Sequence, residues 1–323
     1  MIPPPPEKCE QTSWHSAQKH AFLEAYLKIW TENVGKKKNP PSLDIIDLFA
    51  SFGWCHSTEN NKTWPGTSIL SAQCLKDYRT SHKCLLFLNS YSPQADEQDK
   101  QISALREAVQ GIQLDDDRAV IYSSSPIGTA VEEAIKRIRP NYPNLWLLDP
   151  YSSEDLPWET VERILDCVGH YTKDGKEKKR RPELFITLMT SGLQRNIDTN
   201  PHMVSRAFGV EEHIWRPQLT ELKVSGMNTR LALTKLYSDR LKPFYGKDPL
   251  IMEVPSTQGN IVYVVIFCTE HNAAYYMTDQ YAIPRYEEWK LLEWTGPARE
   301  EARTKKVIKK AQKAGQIQKR FDI

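Results

Sequence analysis

The sequence predicts an α/β fold built on a doubly wound, mostly parallel sheet. Apolar runs of strand length recur along the first two thirds of the chain: Leu43 to Phe49, Cys84 to Leu88, Ala119 to Tyr122, Leu145 to Leu148 and Leu184 to Leu188. Segments of helical period lie between them, and parallel neighbours require such crossovers. The first run also ends in small residues, Ala50-Ser51-Phe52-Gly53, as expected where a strand turns sharply and lets backbone approach a ligand.

Composition limits the alternatives. A chain of 323 residues with 40% hydrophobic and 26% charged residues is that of an ordinary water-soluble globule, and a net charge of +2 gives no global attraction to polyanions. Any basic surface is therefore local. One main α/β domain is expected over residues 13–285. A proline-rich lead-in, extended or disordered, precedes it at residues 1–12, and a basic helical extension follows at 286–323. The six cysteines form no CxxC pair and the histidines no ligand spacing, so buried reduced thiols are expected, with neither a disulfide scaffold nor a metal site. No apolar run reaches membrane-spanning length. The opening Met-Ile-Pro-Pro-Pro-Pro cannot form the apolar core of a signal peptide, and a cytoplasmic, membrane-free protein is expected.

In chain order, Trp14 to about Glu32 places Phe22, Leu23, Tyr26, Ile29 and Trp30 on one helical stripe, a helix that can cover the sheet. Gly35, Lys36 to Lys38, Pro40 and Pro41 end it. After the first strand, His56 to Thr63 reads as a polar insert, and Thr67 or Ser68 as the cap of a helix to Asp77. Helices follow the later strands through Leu105 and Val109, from Thr129 to Ile138 and from Trp158 to Val168. The loops Asn89, Ser123-Ser124-Ser125, Asp149-Pro150-Tyr151 and Thr190-Ser191-Gly192 share the carboxyl edge. His202 to about Leu222 reads as short helices and loops, and Met227 to Phe244 as a helix. Leu250 to Val254 and Ile261 to Cys268 form an antiparallel hairpin. A charged helix starts at Tyr286 and carries Lys305, Lys306, Lys309, Lys310 and Lys313. Counted together, the strands make a Rossmann-like, seven-stranded sheet that closes on a hairpin, as in class I methyltransferases.

Several of these stretches together resemble the three-Cys-motif partner (TcmP) family, whose fold is similar to that of class I S-adenosylmethionine-dependent methyltransferases. They are Trp14 with its helix, Asp47-Leu48-Phe49-Ala50-Ser51-Phe52-Gly53, Pro65-Gly66-Thr67-Ser68, Leu148-Asp149-Pro150-Tyr151 with Leu156 to Thr160, Thr190 to Asn196, and Tyr263 to Phe267 with His271. The likeness spans roughly residues 14 to 280. It implies S-adenosylmethionine at Asp47, Phe49, Ala50, Gly53, Asn89 and Ser124, and a three-Cys-motif protein as partner. It implies too that Asp149, Pro150 and Tyr151 hold a target amino group, with the ring stacked on a base. Without the resemblance, Asp149 reads equally well as a strand-end cap of the next helix.

The sequence departs from the pattern where the cofactor would bind. Asn89 stands where an acid would hold the ribose hydroxyls, Ser123-Ser124-Ser125 where a second acid would receive the adenine amino group, and Ser51-Phe52 where the turn would have Gly-Ser. Each lost charged acceptor costs about 1 to 3 kcal/mol. Arg195 and Asn196 fit phosphate or substrate, or plain surface; Trp158 fits substrate stacking or core. Lys173 to Arg181 and the late lysines fit nucleic acid, or a solvated face. Two functions follow as expectations: an amino-directed, nucleic-acid methyltransferase working with a partner, or a degenerate methyltransferase fold that binds a partner or nucleic acid in a mobile-element or defence system.

Overall fold

The computed structural model describes residues 4–35, 39–173, 175–256, 258 and 260–293. The elements run β1 (Glu10–Gln11), α1 (Ser16–Gly35), β2 (Asp44–Asp47), β3 (Trp54–Ser57), β4 (Lys62–Pro65), α2 (Thr67–Asp77), β5 (Cys84–Asn89), α3 (Ala95–Gln110), β6 (Arg118–Ser123), α4 (Ile127–Ile135), β7 (Asn144–Leu148) and α5 (Trp158–Leu165). There follow β8 (Gly169–Lys173), β9 (Lys176–Arg180), β10 (Glu183–Leu188), α6 (Thr190–Thr199), α7 (Pro201–Phe208), α8 (Glu212–Val224), α9 (Thr229–Tyr245), β11 (Leu250–Pro255), β12 (Ile261–Cys268), α10 (Asn272–Met277) and α11 (Ile283–Glu293).

The central sheet has seven strands in the order β11-β12-β10-β7-β2-β5-β6. The five from β10 to β6 are parallel, and β12 runs antiparallel to both β10 and β11. This is a Rossmann-like α/β arrangement, and chain order reverses direction between β2 and β7. The crevice beyond the carboxyl ends of two such strands is where open α/β sheets bind ligands.

Period-two alternation divides the strand residues between two cores. Ile46, Leu48, Trp146, Leu148, Ile186 and Ile266 face α4 to α9, whereas Ile45, Leu145, Leu147, Phe185 and Val265 face α1, α2 and α3. The apolar stripe of α1, with Phe22, Leu23, Tyr26 and Ile29, is buried on the second face. By the same parity Asp47, Asp149, Thr187 and Tyr263 lie on the α1 side at the carboxyl edge.

Several expectations are corrected. Residues 4–12 are neither merely extended nor disordered: Pro6–Lys8 form a 3₁₀ turn, and Glu10 and Gln11 pair in parallel with Cys55 and His56. The polar insert belongs to the β3–β4 hairpin, because Cys55 and Trp64, directly opposed, give it an apolar side against Trp14, while Trp54 packs into the core beneath α1, α2 and α3. Gly66 caps α2 through its backbone alone, since the Thr67 hydroxyl is engaged elsewhere. Thr190-Ser191-Gly192 is the first turn of α6, which Leu193 and Ile197 pin to the core. The basic loop is the β8–β9 hairpin, and 202–222 is mostly the regular helices α7 and α8. The last helix begins at Ile283; the late lysines, Lys305 to Lys313, lie outside the described residues. All six cysteines are buried and free. Among the described residues no helix is long and apolar enough to cross a membrane.

Candidate functional site

Five chain segments meet at the carboxyl edge between β2 and β7. Asp47 ends β2, Ser51 stands in the turn after it, Asp149 and Tyr151 follow β7, Glu10 lies on β1, and Lys19 reaches in from α1. Lys19 Nζ is 2.7 Å from Asp149 Oδ1 and 2.6 Å from Oδ2. Burial alone would raise the Asp149 carboxyl; the Lys19 charge more than reverses this and holds it below the usual range. Burial likewise opposes charge on Lys19, and Asp149, Tyr263 and Glu10 overcome that too. Both partners are therefore ionised at neutral pH.

Asp47 behaves differently. It is fully buried, and burial pushes its carboxyl up to about 7, aided by the neighbouring Asp149 and Glu10 charges and opposed by hydrogen bonds from Thr67 and Phe49. Thr67 Oγ1 donates to Oδ2 at 2.5 Å and Phe49 N donates to Oδ1 at 3.1 Å. Each oxygen has a partner within the chain, so Asp47 ties the turn after β2 to the start of α2.

Buried hydroxyls without a well-formed hydrogen bond gather at the same edge: Ser51, Ser68, Thr187, Thr190 and Tyr263. Ser51 has φ +50°, a left-handed conformation unusual for serine, and its hydroxyl acts to lower the neighbouring Glu10 and Tyr151 groups against the effect of burial. Burial raises the Glu10 carboxyl. The Tyr151 phenol is also raised, by burial and by Glu10, although the residue as a whole is 53% exposed. His20, behind Lys19, is kept neutral: burial and Lys19 lower it to about 3, and its Nδ1 accepts a hydrogen bond from Trp64 Nε1 at 2.8 Å.

The neighbouring cradle, where the resemblance implies ribose and adenine, is bonded internally. Asn89 is buried; its Nδ2 donates to Leu48 O at 3.2 Å and its Oδ1 accepts from Ser125 N at 3.1 Å. Its carbonyl also accepts from Ala50 N at 2.8 Å. Ser123 and Ser125 both donate to Glu133 of α4 at 2.8 Å, while Ser124 is exposed. The turn itself is filled from behind: Gly53, at φ +84°, faces Leu105, Ala108 and Ile69, and its carbonyl accepts from Gly66 N at 2.8 Å. Ala50 is buried and Phe49 half-buried against the opposite core.

Comparison with protein-family models gives no match, and a search of curated proteins gives none. The site is therefore read from its own residues.

Of the expected residues, the structure brings Asp47, Asp149 and Tyr151 together, with Pro150 buried between the last two. Trp158 is not a substrate platform: it is 2% exposed, packed edge-on against Tyr237, and so close to Gly209 that a Cβ there would lie 2.3 Å from its ring. Its alternative reading as core is the correct one. Arg195 and Asn196 lie in the second turn of α6, where Asn196 bonds back to Gly192 O and Arg195 is exposed. Sequence reasoning missed Lys19 and Glu10. A signal for Lys19 existed, since it occupies the same stripe as Phe22, Leu23 and Tyr26. A charge on a buried stripe needs a partner.

Proposed function

We propose that this chain is a methyltransferase-fold protein of the three-Cys-motif partner type it resembles, which has given up S-adenosylmethionine and acts by binding a protein partner. The strand order supports the fold assignment: numbered along the central sheet's own strands, it is 3-2-1-4-5-7-6 with the seventh antiparallel, the order of class I methyltransferases.

The observation that carries the loss of cofactor is Asn89. At the ribose position its amide donates to Leu48 and its oxygen accepts from Ser125, so both ends already serve the fold. Two ribose hydroxyls would meet there one neutral amide oxygen, already accepting from Ser125, in place of the two charged oxygens of a carboxylate, and turning the amide towards them would break the bridge between the first and third strand-end loops. The residues present do not fit the cofactor. The Asp149 ion pair points the same way, because a carboxylate held by Lys19 is not free to receive the hydrogens of a target amine.

A second reading, amino-directed methyl transfer, is favoured by one feature: the Tyr151 ring follows Asp149-Pro150 at the end of β7 and is half-exposed, as a base-stacking ring would be. Calorimetric titration of the folded chain with S-adenosylmethionine and with its demethylated product separates the two. No heat of binding is expected; micromolar binding of either compound would overturn the proposal in favour of the second reading.

A further inference from the structure

The amino edge of the sheet, opposite the site described above, carries a feature unrelated to the cofactor question. Between α5 and β10 the chain makes an isolated two-stranded ribbon, β8–β9, with Tyr171 opposite Lys178, His170 opposite Lys179 and Thr172 opposite Glu177. Directly opposed residues share a face, and successive residues alternate. One face therefore holds Tyr171, Lys176, Lys178 and Arg180; the other holds His170, Thr172, Glu177 and Lys179. The ribbon strands' one carboxylate, Glu177, is thus segregated from the first face, and it accepts from His170 at 2.8 Å.

The basic face is built. The Arg180 guanidinium lies 4.5 Å from the Tyr171 ring centroid and donates to Asn141 O at 2.7 Å. His170 N donates to Asn141 Oδ1 at 2.8 Å, and a Cβ at Gly169 would lie 1.8 Å from Pro140 O. These contacts fix the base of the ribbon against the loop that enters β7. The same edge continues the charge: Lys136 and Arg137 follow α4 and are exposed, and exposed Lys83 is held beside them by Arg139, which pairs with Asp44 and donates to the Lys83 carbonyl at 2.6 Å. Lys83, Arg137, Lys176, Lys178 and Lys179 are in no ion pair among the described residues.

We infer that the β8–β9 ribbon is a docking surface for a DNA duplex, held through its phosphates. A net charge of only +2 makes this concentration of unpaired cations local. A two-stranded ribbon has the width that a major groove about 12 Å across admits, and lysines in no ion pair among the described residues can displace the counterions condensed on the duplex phosphates. An anionic membrane is the less suitable occupant, because the ribbon's basic face offers no aliphatic side chain or free aromatic to insert beside the charges. The inference is independent of the proposed loss of cofactor, and the titration above does not bear on it.

The test is fluorescence anisotropy of the full chain with a labelled DNA duplex of about 20 base pairs, between about 50 and 200 mM salt. The double variant Lys176→Gln, Lys178→Gln is expected to weaken binding at least about tenfold at low salt and to reduce the slope of log affinity against log salt by about 2. Lys179→Gln, on the opposite face of the ribbon, and the pair Arg206→Gln, Lys223→Gln on α7 and α8 control for bulk charge and are expected to change the slope by less. Circular dichroism checks that each variant is folded, as its exposed position requires. Three results would overturn the inference: no duplex binding at low salt, a Lys176/Lys178 variant indistinguishable from the Arg206/Lys223 control, or lysine-dependent binding to phosphatidylserine vesicles without binding to the duplex.

Discussion

Lys19 Nζ lies 2.6 Å from Asp149 Oδ2, and the two side chains are only 12% and 11% exposed. The pair joins the first long helix to the loop after β7, 130 residues along the chain. It turns the acid of the Asp149-Pro150-Tyr151 motif from a free acceptor into half of an internal contact. An ion pair so enclosed has given up most of its hydration, so removing one member leaves the other charge stranded.

Lys19→Met and Asp149→Leu are each expected to destabilise the fold by about 3 to 5 kcal/mol, the cost of an uncompensated buried charge. The double variant is expected to lose clearly less than the sum of the two, because neither charge is then left alone. Urea denaturation of the four proteins measures this. Additive losses would mean that the two side chains act independently.

Asn89→Asp tests the cradle. A carboxylate keeps an acceptor for Ser125 N but cannot donate to Leu48 O, and it sets negative charge against that carbonyl. The variant is expected to be about 1 to 3 kcal/mol less stable and to gain no affinity for S-adenosylmethionine. Thermal denaturation with and without the compound reads both effects. Stabilisation by the compound in the variant alone would show that the amide was the one obstacle to binding.

Much of the fold was legible because its signals are local. Ile261 to Cys268 is an eight-residue apolar run bounded by polar residues, and β12 has those bounds. The parallel strands likewise advertise burial on both faces. What stayed hidden depended on partners supplied by tertiary structure. Thr190-Ser191-Gly192 reads as a loop from propensity, yet Leu193 and Ile197 commit it to a helix once they meet the core. The β3 and β4 strands are short, and Cys55 and Trp64 become an apolar side only when the fold brings Trp14 and Ala17 against them. Asn89 was visible as a departure from an acid; that it bridges Leu48 and Ser125 was not, since the fold alone brings those two together. Lys19 was readable in principle, and it was missed because a stripe is recognised by its apolar members.

Glu183 predicts a pH dependence of stability. It begins β10 at the amino edge of the sheet, where burial pushes its carboxyl up to about 7 despite hydrogen bonds from Tyr26 and Thr269 that pull it down. Between the ordinary value of 4.5 and 7 the folded chain keeps this proton and the unfolded chain releases it. The contribution is therefore full below about 4.5 and is lost as pH rises through about 7, on the order of 3 kcal/mol in all. His20, lowered by burial and by Lys19, works in the opposite sense: its contribution is lost as pH falls below its ordinary value. Comparison with Glu183→Gln isolates the first effect, since His20 acts equally in both proteins. The stability of the native chain relative to Glu183→Gln is expected to fall from pH 5 to pH 8 in chemical denaturation, and a flat difference would remove Glu183 as its source.

The contact between Gly53 and Gly66 closes the turn after β2, and it predicts the last effect. A Cβ on Gly66 would stand 2.7 Å from the Gly53 carbonyl oxygen, a backbone atom that cannot swing aside. Gly53 itself is at φ +84°, with Ala108 Cβ 3.2 Å from where its own Cβ would be. Gly66→Ala is expected to cost about 1 to 3 kcal/mol, the usual penalty of overpacking, and to speed amide exchange at Gly66, whose N–H donates to that same carbonyl. Gly53→Ala adds backbone strain to crowding and is expected to cost at least as much. Because both substitutions push apart the same two strands of backbone, the double variant is expected to lose less than the sum. Hydrogen exchange and denaturation of the three variants test this, and a Gly66→Ala protein of unaltered stability and exchange would mean that the turn has room to spare.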